Sequence, residues 1–151
     1  MFRQLTCCTF DRVIPAVPMA LRIKIRENAA PLTVEDATQL DAALQQAAEQ
    51  ARKRGMLGAV LIEAGNANII TMVVGGDETV LGFDYGEPNP RHYASRGISG
   101  ADEPTMTCYL TMQHHMEFSR KYVIPVADGV KAVHQFLDSG DLPTSINWEL
   151  V

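Results

Sequence analysis

FLDSGDLPTSINWELV (Phe136–Val151) holds a helix end, a sharp return and a short strand in one stretch. Gly140 is a natural helix stop, and Pro143 cannot continue the helix. Ile146 and Trp148 then alternate with Asn147 and Glu149, so the first pair shares one strand face and the second pair the other. The only Trp of the chain is therefore predicted to turn toward a core beside the helix that precedes it, with Glu149 on the wetter side. A helix that returns directly into a strand with one apolar face requires a sheet to receive both.

The same mixture runs upstream. In PVADGVKAVHQFLDSG (125–140), Pro125 suits the first helical position, and Val126, Val130, Val133 and Leu137 form an apolar stripe. In PLTVEDATQLDAALQQAAEQARKRG (31–55), Thr33 is placed to cap a helix, with Asp36 as the capping-box acid. Val34, Ala37, Leu40, Leu44, Ala47 and Ala51 recur at threes and fours, and Arg52, Lys53 and Arg54 oppose the helix dipole ahead of Gly55. Strands are predicted at LRIKI (21–25), at LGAVLIEA (57–64) and NIITMVV (68–74) joined by GNA, and at ETVLGFDY (78–85). A short one is expected around His92 to Ser95. TMTCYLTM (105–112) alternates, with Met106, Cys108, Leu110 and Met112 on one face, and HMEFSRKYVI (115–124) reads as extended. This is an α+β plan: a mainly antiparallel sheet of about six to seven strands with two helices packed on one side. Residues 21–151 are expected to form a single domain, with 1–20 as a disordered arm and Met1 and Met19 both open as the start.

The chain has 151 residues, 46% hydrophobic and 21% charged, the balance of a globular domain that can bury a core unaided. Its 13 basic and 18 acidic residues give a formal charge of -5, which argues against direct nucleic-acid binding. No apolar run reaches the roughly 20 residues of a membrane span. Cys7, Cys8 and Cys108 form no metal pair and leave an odd count, which points to a reducing, cytoplasmic setting.

Candidate chemistry is thin. His114 and His115 with Cys108 or Glu117 have metal-ligand types, but neighbours in a strand point apart. GISGADEP lacks the strand before and the helix after that a phosphate loop needs. Cys108 with His114 could form a nucleophile and base, yet Cys108 falls on the apolar face of its strand. Ser95 and Ser99 with His92 and Asp102 lack a nucleophile-elbow pattern. Asp102-Glu103 and Asp138/Asp141 read as solvated loop charges. No catalytic residue, cofactor or metal is expected.

YVIPVADGVKAVHQFLDSGDLPTSINWEL (122–150) resembles the C-terminal signature of immunity protein family 1 of bacterial polymorphic toxin systems. The matching positions are Ile124, Pro125, Ala132, Phe136, Gly140, Pro143, Trp148 and Glu149. VVGGDETVLGFDYGEPNPRHYASRG (73–97) is similar to a family run that ends in Tyr-x-Ser-x-Gly, here Tyr93, Ser95 and Gly97. The resemblance covers roughly Met72 to Leu150. It implies a cofactor-free, non-enzymatic cytoplasmic protein that binds and occludes a cognate toxin domain, with nucleic-acid deaminases among the toxins.

An acidic inhibitor would be steered to the basic channel of such a toxin. Loop acids available for this are Asp77, Glu78, Asp84, Glu87, Asp102 and Glu103, although Arg91, Arg96, Arg120 and Lys121 lie close in sequence. The expected interface comprises Asp84, Tyr85, Glu87, Tyr93, Asp102, Glu103 and Glu149. Two other readings stay open: a small-ligand or hydrolytic domain using the loop between Tyr85 and Pro104, and a self-associating accessory or regulatory protein that forms a homodimer through its terminal strand.

Overall fold

The computed structural model describes residues 20–25, 30–86, 88, 90–98, 105–111 and 114–151; the arm expected over 1–20 lies outside them except for Ala20. The strands are β1 (Leu21–Ile25), β2 (Leu32–Val34), β3 (Gly58–Glu63), β4 (Ile69–Val74), β5 (Glu78–Thr79), β6 (Leu81–Asp84), β7 (His92–Arg96), β8 (Met106–Thr111), β9 (His114–Phe118), β10 (Ile124–Pro125) and β11 (Asn147–Leu150). The helices are α1 (Ala37–Arg54) and α2 (Val126–Ser139), with a 3-10 turn at Arg120–Tyr122. The main path of the sheet is β11-β7-β6-β4-β3-β1-β2, antiparallel at every step. The β8–β9 hairpin joins it through one parallel pairing, Gly58 with Tyr109, and β10 pairs β5 apart from the sheet. The α+β plan is as expected. There are more strands among the described residues than the seven predicted, because several are too short to leave a periodic signal.

Alternation along the strands sorts the side chains into two layers. Leu21 and Ile23 of β1, Val60 and Ile62 of β3, Ile70 and Met72 of β4, and Leu81 and Phe83 of β6 all face the helices. Leu40, Ala43, Leu44, Ala47 and Ala51 of α1 meet them, together with Ala132, Val133, Phe136 and Leu137 of α2. The stripe expected on α2 is therefore shifted: Val126 and Val130 are half-buried, and Phe136 is fully buried. Asp41 bonds His134 at 2.6 Å and ties the two helices together.

The start of α1 corrects the sequence reading. Asp36, not Thr33, is the N-cap, and its carboxylate accepts from the Gln39 amide at 2.8 Å. Gln39 Oε1 accepts in turn from the Glu35 amide at 2.8 Å. Thr33 and Val34 belong to β2, where pairing with β1 outweighs the local capping signal and buries Val34 in the core. Asp36→Ala should lower the thermal midpoint, at a cost of about 1 kcal/mol. Thr33→Ala, at an exposed strand position, should shift it by less than half as much.

Two further corrections concern the C-terminal third. The extended segment expected over 115–124 is divided into β9, the 3-10 turn and β10, and Pro125 stands just before α2 as its N-cap residue. The final strand lies within the sheet beside β7, not against α2 alone. The return is held from α2 by Gln135, whose Oε1 accepts from the amides of Thr144 and Ser145, each at 3.0 Å.

The hairpin turn between β3 and β4 also serves the helix layer. Asn66 and Asn68 both donate to the carbonyl of Gly140, at 2.9 and 2.8 Å, where α2 ends in a left-handed residue. Asn68 Oδ1 accepts from the Gly86 amide at 3.0 Å. One buried asparagine thus joins a turn, a helix end and the loop after β6 by satisfying polar groups that water cannot reach.

Candidate interaction face

The helices cover one side of the sheet only. The other side carries Ala59, Leu61 and Glu63 from β3, Thr71 and Val73 from β4, and Gly82 and Asp84 from β6. The pairings Gly82–Ala94, Asp84–His92 and Glu149–Ala94 carry it on to β7 and β11. The β8–β9 hairpin folds against part of this outer face. Met106 and Cys108 are buried there with Val73, Val80 and Val123 in a small second core.

Between the hairpin and the open sheet runs a groove of about 230 Å³, floored by Ala59, Leu61, Thr71 and Val73 and walled by Cys108, Met116 and Phe118. His92 stands at its rim. Leu61 and Met116 remain 37% and 40% exposed. A second depression of about 330 Å³ shares Leu61 as a wall and is otherwise lined by Arg22, Lys24, Pro31 and Glu63.

Charges on this side fall into pairs at one end. Asp84 bonds His92 Nδ1 at 2.5 Å. Glu149 meets Lys121 at 3.1 Å and Arg96 at 3.6 Å, and Lys121 also lies 4.7 Å from the centre of the Tyr122 ring. Arg120 chelates Glu78 with two nitrogens, the shortest contact being 2.9 Å.

Of the expected interface residues, the structure brings Asp84 and Glu149 onto this outer face, on strands separated only by β7. Tyr85 and Tyr93 are half-buried against the helix-side core, edge to face at 6.1 Å, and Tyr85 also abuts Phe83 at 4.9 Å. Burial, then the charge of Asp141, pushes the Tyr85 phenol above its ordinary value. Glu87, Asp102 and Glu103 lie outside the described residues. Sequence reasoning passed over Leu61, Met116, Arg22 and Lys24. For the two cations the alternation of LRIKI was the available signal, since it places both on the outer face.

Two groups with reactive potential, Cys108 and Ser95, are held in structural surroundings. Cys108 is fully buried, and burial pushes its thiol up to about 11, so little thiolate exists at neutral pH. The Ser95 hydroxyl donates to the Tyr122 carbonyl at 2.7 Å and accepts from the Leu81 amide at 3.0 Å. Among the described residues no group of three or more His, Cys, Asp or Glu side chains is arranged to hold a metal ion. No helix among them is long and apolar enough to cross a membrane.

Fold and face define an α+β domain with one sealed side and one open side of mixed apolar and charged character. The chain belongs to the Imm1 family of immunity proteins: the family model described as immunity protein Imm1 matches residues 28–150. Its members' role implies a toxin protein as partner. No curated protein matches the chain.

Proposed function

We propose that this chain is a cytoplasmic antitoxin that binds a cognate toxin domain and occludes its active site, performing no chemistry and needing no cofactor. The observation that carries the reading is the family match over residues 28–150. The open side of the sheet supports it, because an inhibitor needs an uncommitted surface and this one combines exposed apolar and charged side chains. The proposed toxin is a nucleic-acid deaminase. Its substrate channel must be basic, and a chain of formal charge -5 is drawn to it. The proposed contacts are Asp84, Tyr85, Glu87, Tyr93, Asp102, Glu103 and Glu149, with the two tyrosines buttressing the polar end of the face.

The test is co-expression with a candidate toxin domain encoded next to this chain. Growth should be restored, and deaminated bases in cellular nucleic acid should fall to background. A purified mixture should give a 1:1 complex. Toxicity that persists with this chain present at equal concentration sinks the reading. Protection without complex formation would point instead to an enzyme acting on the toxin's product.

A further inference from the structure

We infer that the groove between the outer sheet face and the β8–β9 hairpin receives one aromatic side chain of the toxin, and that a carboxylate close to that side chain meets Arg22 and Lys24. This rests on the antitoxin reading and specifies what the partner must present.

Three observations lead there. Two of the large exposed hydrophobic side chains, Leu61 and Met116, converge on this one groove from separate strands. The volume of about 230 Å³ has room for one large side chain and not for a helix. The rim is the second observation. Asp84 holds His92 through Nδ1, and Nε2 makes no hydrogen bond among the described residues. An oriented ring nitrogen at the mouth of an apolar slot suits a side chain with an apolar body and a polar tip, which describes Tyr and Trp. These are also the residue types that most often anchor interfaces.

The third observation is charge. Arg22 and Lys24 project from β1 on the same face and form no ion pair among the described residues, whereas Lys121, Arg96 and Arg120 each have a carboxylate. Lys24 lies directly across from Leu61, and Arg22 from Glu63. Glu63 balances at most one of the two cations. A partner carboxylate next to the inserted ring restores neutrality, and the apolar contact beside it removes water from the pair.

The experiment is a binding titration of the full chain with the neighbouring toxin domain, by calorimetry and by stopped-flow association. Leu61→Asp and Met116→Asp alter the floor and a wall of the groove at exposed positions, so a folding failure in one leaves the other informative. Each should weaken binding by roughly 30-fold or more, chiefly through faster dissociation. Arg22→Gln with Lys24→Gln should speed dissociation by about 10-fold, because the partner carboxylate is left without its cations in a contact shielded from water. Lys131→Glu, on the exposed side of α2, should leave both rates unchanged. If the wild type and both groove variants bind equally, the groove is not the site and the antitoxin reading stands. If the wild type fails to bind, that reading falls and this inference with it. A wild-type homodimer that Leu61→Asp turns into a monomer would assign the groove to a second copy and overturn the inference.

Discussion

Trp148→Ala should destabilise the domain by about 3 kcal/mol, a large share of the roughly 5 to 15 kcal/mol available to a domain. The indole is half-buried, which places the cost near the lower end of the range for a buried Trp. It rests edge to face on Phe83 with ring centres 6.1 Å apart, and its Nε1 donates to the Pro143 carbonyl at 2.7 Å. Phe83 also touches Phe136 and Tyr85, so the indole closes a four-ring cluster that spans sheet, helix and terminal strand. Removing it opens that cluster and frees the 140–146 return at the same time. Trp148→Phe keeps most of the ring and loses the hydrogen bond, at a cost of about 1 kcal/mol. Glu149→Ala removes two partly exposed ion pairs, to Lys121 and Arg96, and should cost less than about 1 kcal/mol. Urea unfolding followed by circular dichroism measures all three, since the two Trp148 variants lack the only indole fluorophore of the chain. A Trp148→Ala midpoint within error of wild type would show that the ring contributes nothing to the fold and leave it as a surface for partners.

Gly97→Ala should cost about 2 to 3 kcal/mol, although the substitution adds one methyl to a residue that is not fully buried. A Cβ there would stand 2.1 Å from the Val123 carbonyl oxygen and 3.4 Å from that of Lys121. The obstacle is backbone, which cannot rotate aside as a side chain would. The Gly97 amide donates to the Lys121 carbonyl at 2.7 Å, and Ser95 clasps the next carbonyl, that of Tyr122. Forcing the two segments apart breaks both bonds and pulls on β10, which leads straight into α2. Gly82→Ala is the control, because its Cβ would meet its nearest neighbour at an ordinary 3.5 Å. It should cost under about 1 kcal/mol, and equal effects in the two variants would refute the steric account.

That pair of contacts gives the Tyr-x-Ser-x-Gly run its physical meaning. Tyr93 and Ser95 face the helix-side layer, Ser95 satisfying two backbone groups on the way, and Gly97 lets the 3-10 turn approach. The spacing was visible in the sequence; its reason was not, because the receiving segment lies more than 20 residues downstream. Helix α1 was legible from Leu40 to its end, since its stripe follows the helical period and Gly55 ends it. Its first turn was misread because Thr33 and Asp36 are both competent caps, and only the pairing of Val34 in the sheet chooses between them. Strands β3 and β4 were legible as strands, but an unbroken apolar run carries no mark of which face stays open, so Leu61 gave no hint of a groove. The partners of Glu149 were likewise hidden, because they depend on the register of β11 against β7.

Among the described residues the backbone of the hairpin joins the central sheet by a single residue pairing and the Tyr109 amide bond to the Leu57 carbonyl, and its inner strand packs on the second core. Residues His114 to Glu117 on its outer strand are all exposed. Substitutions at those positions disturb neither the helix layer nor the antiparallel ladder, and stability effects at such sites stay within about 0.5 kcal/mol. The scaffold and the proposed recognition finger are thus separable in the way that framework and loops are in an antibody. A chain built like this can track an altered opponent by changing a few outward residues, without renegotiating how it folds.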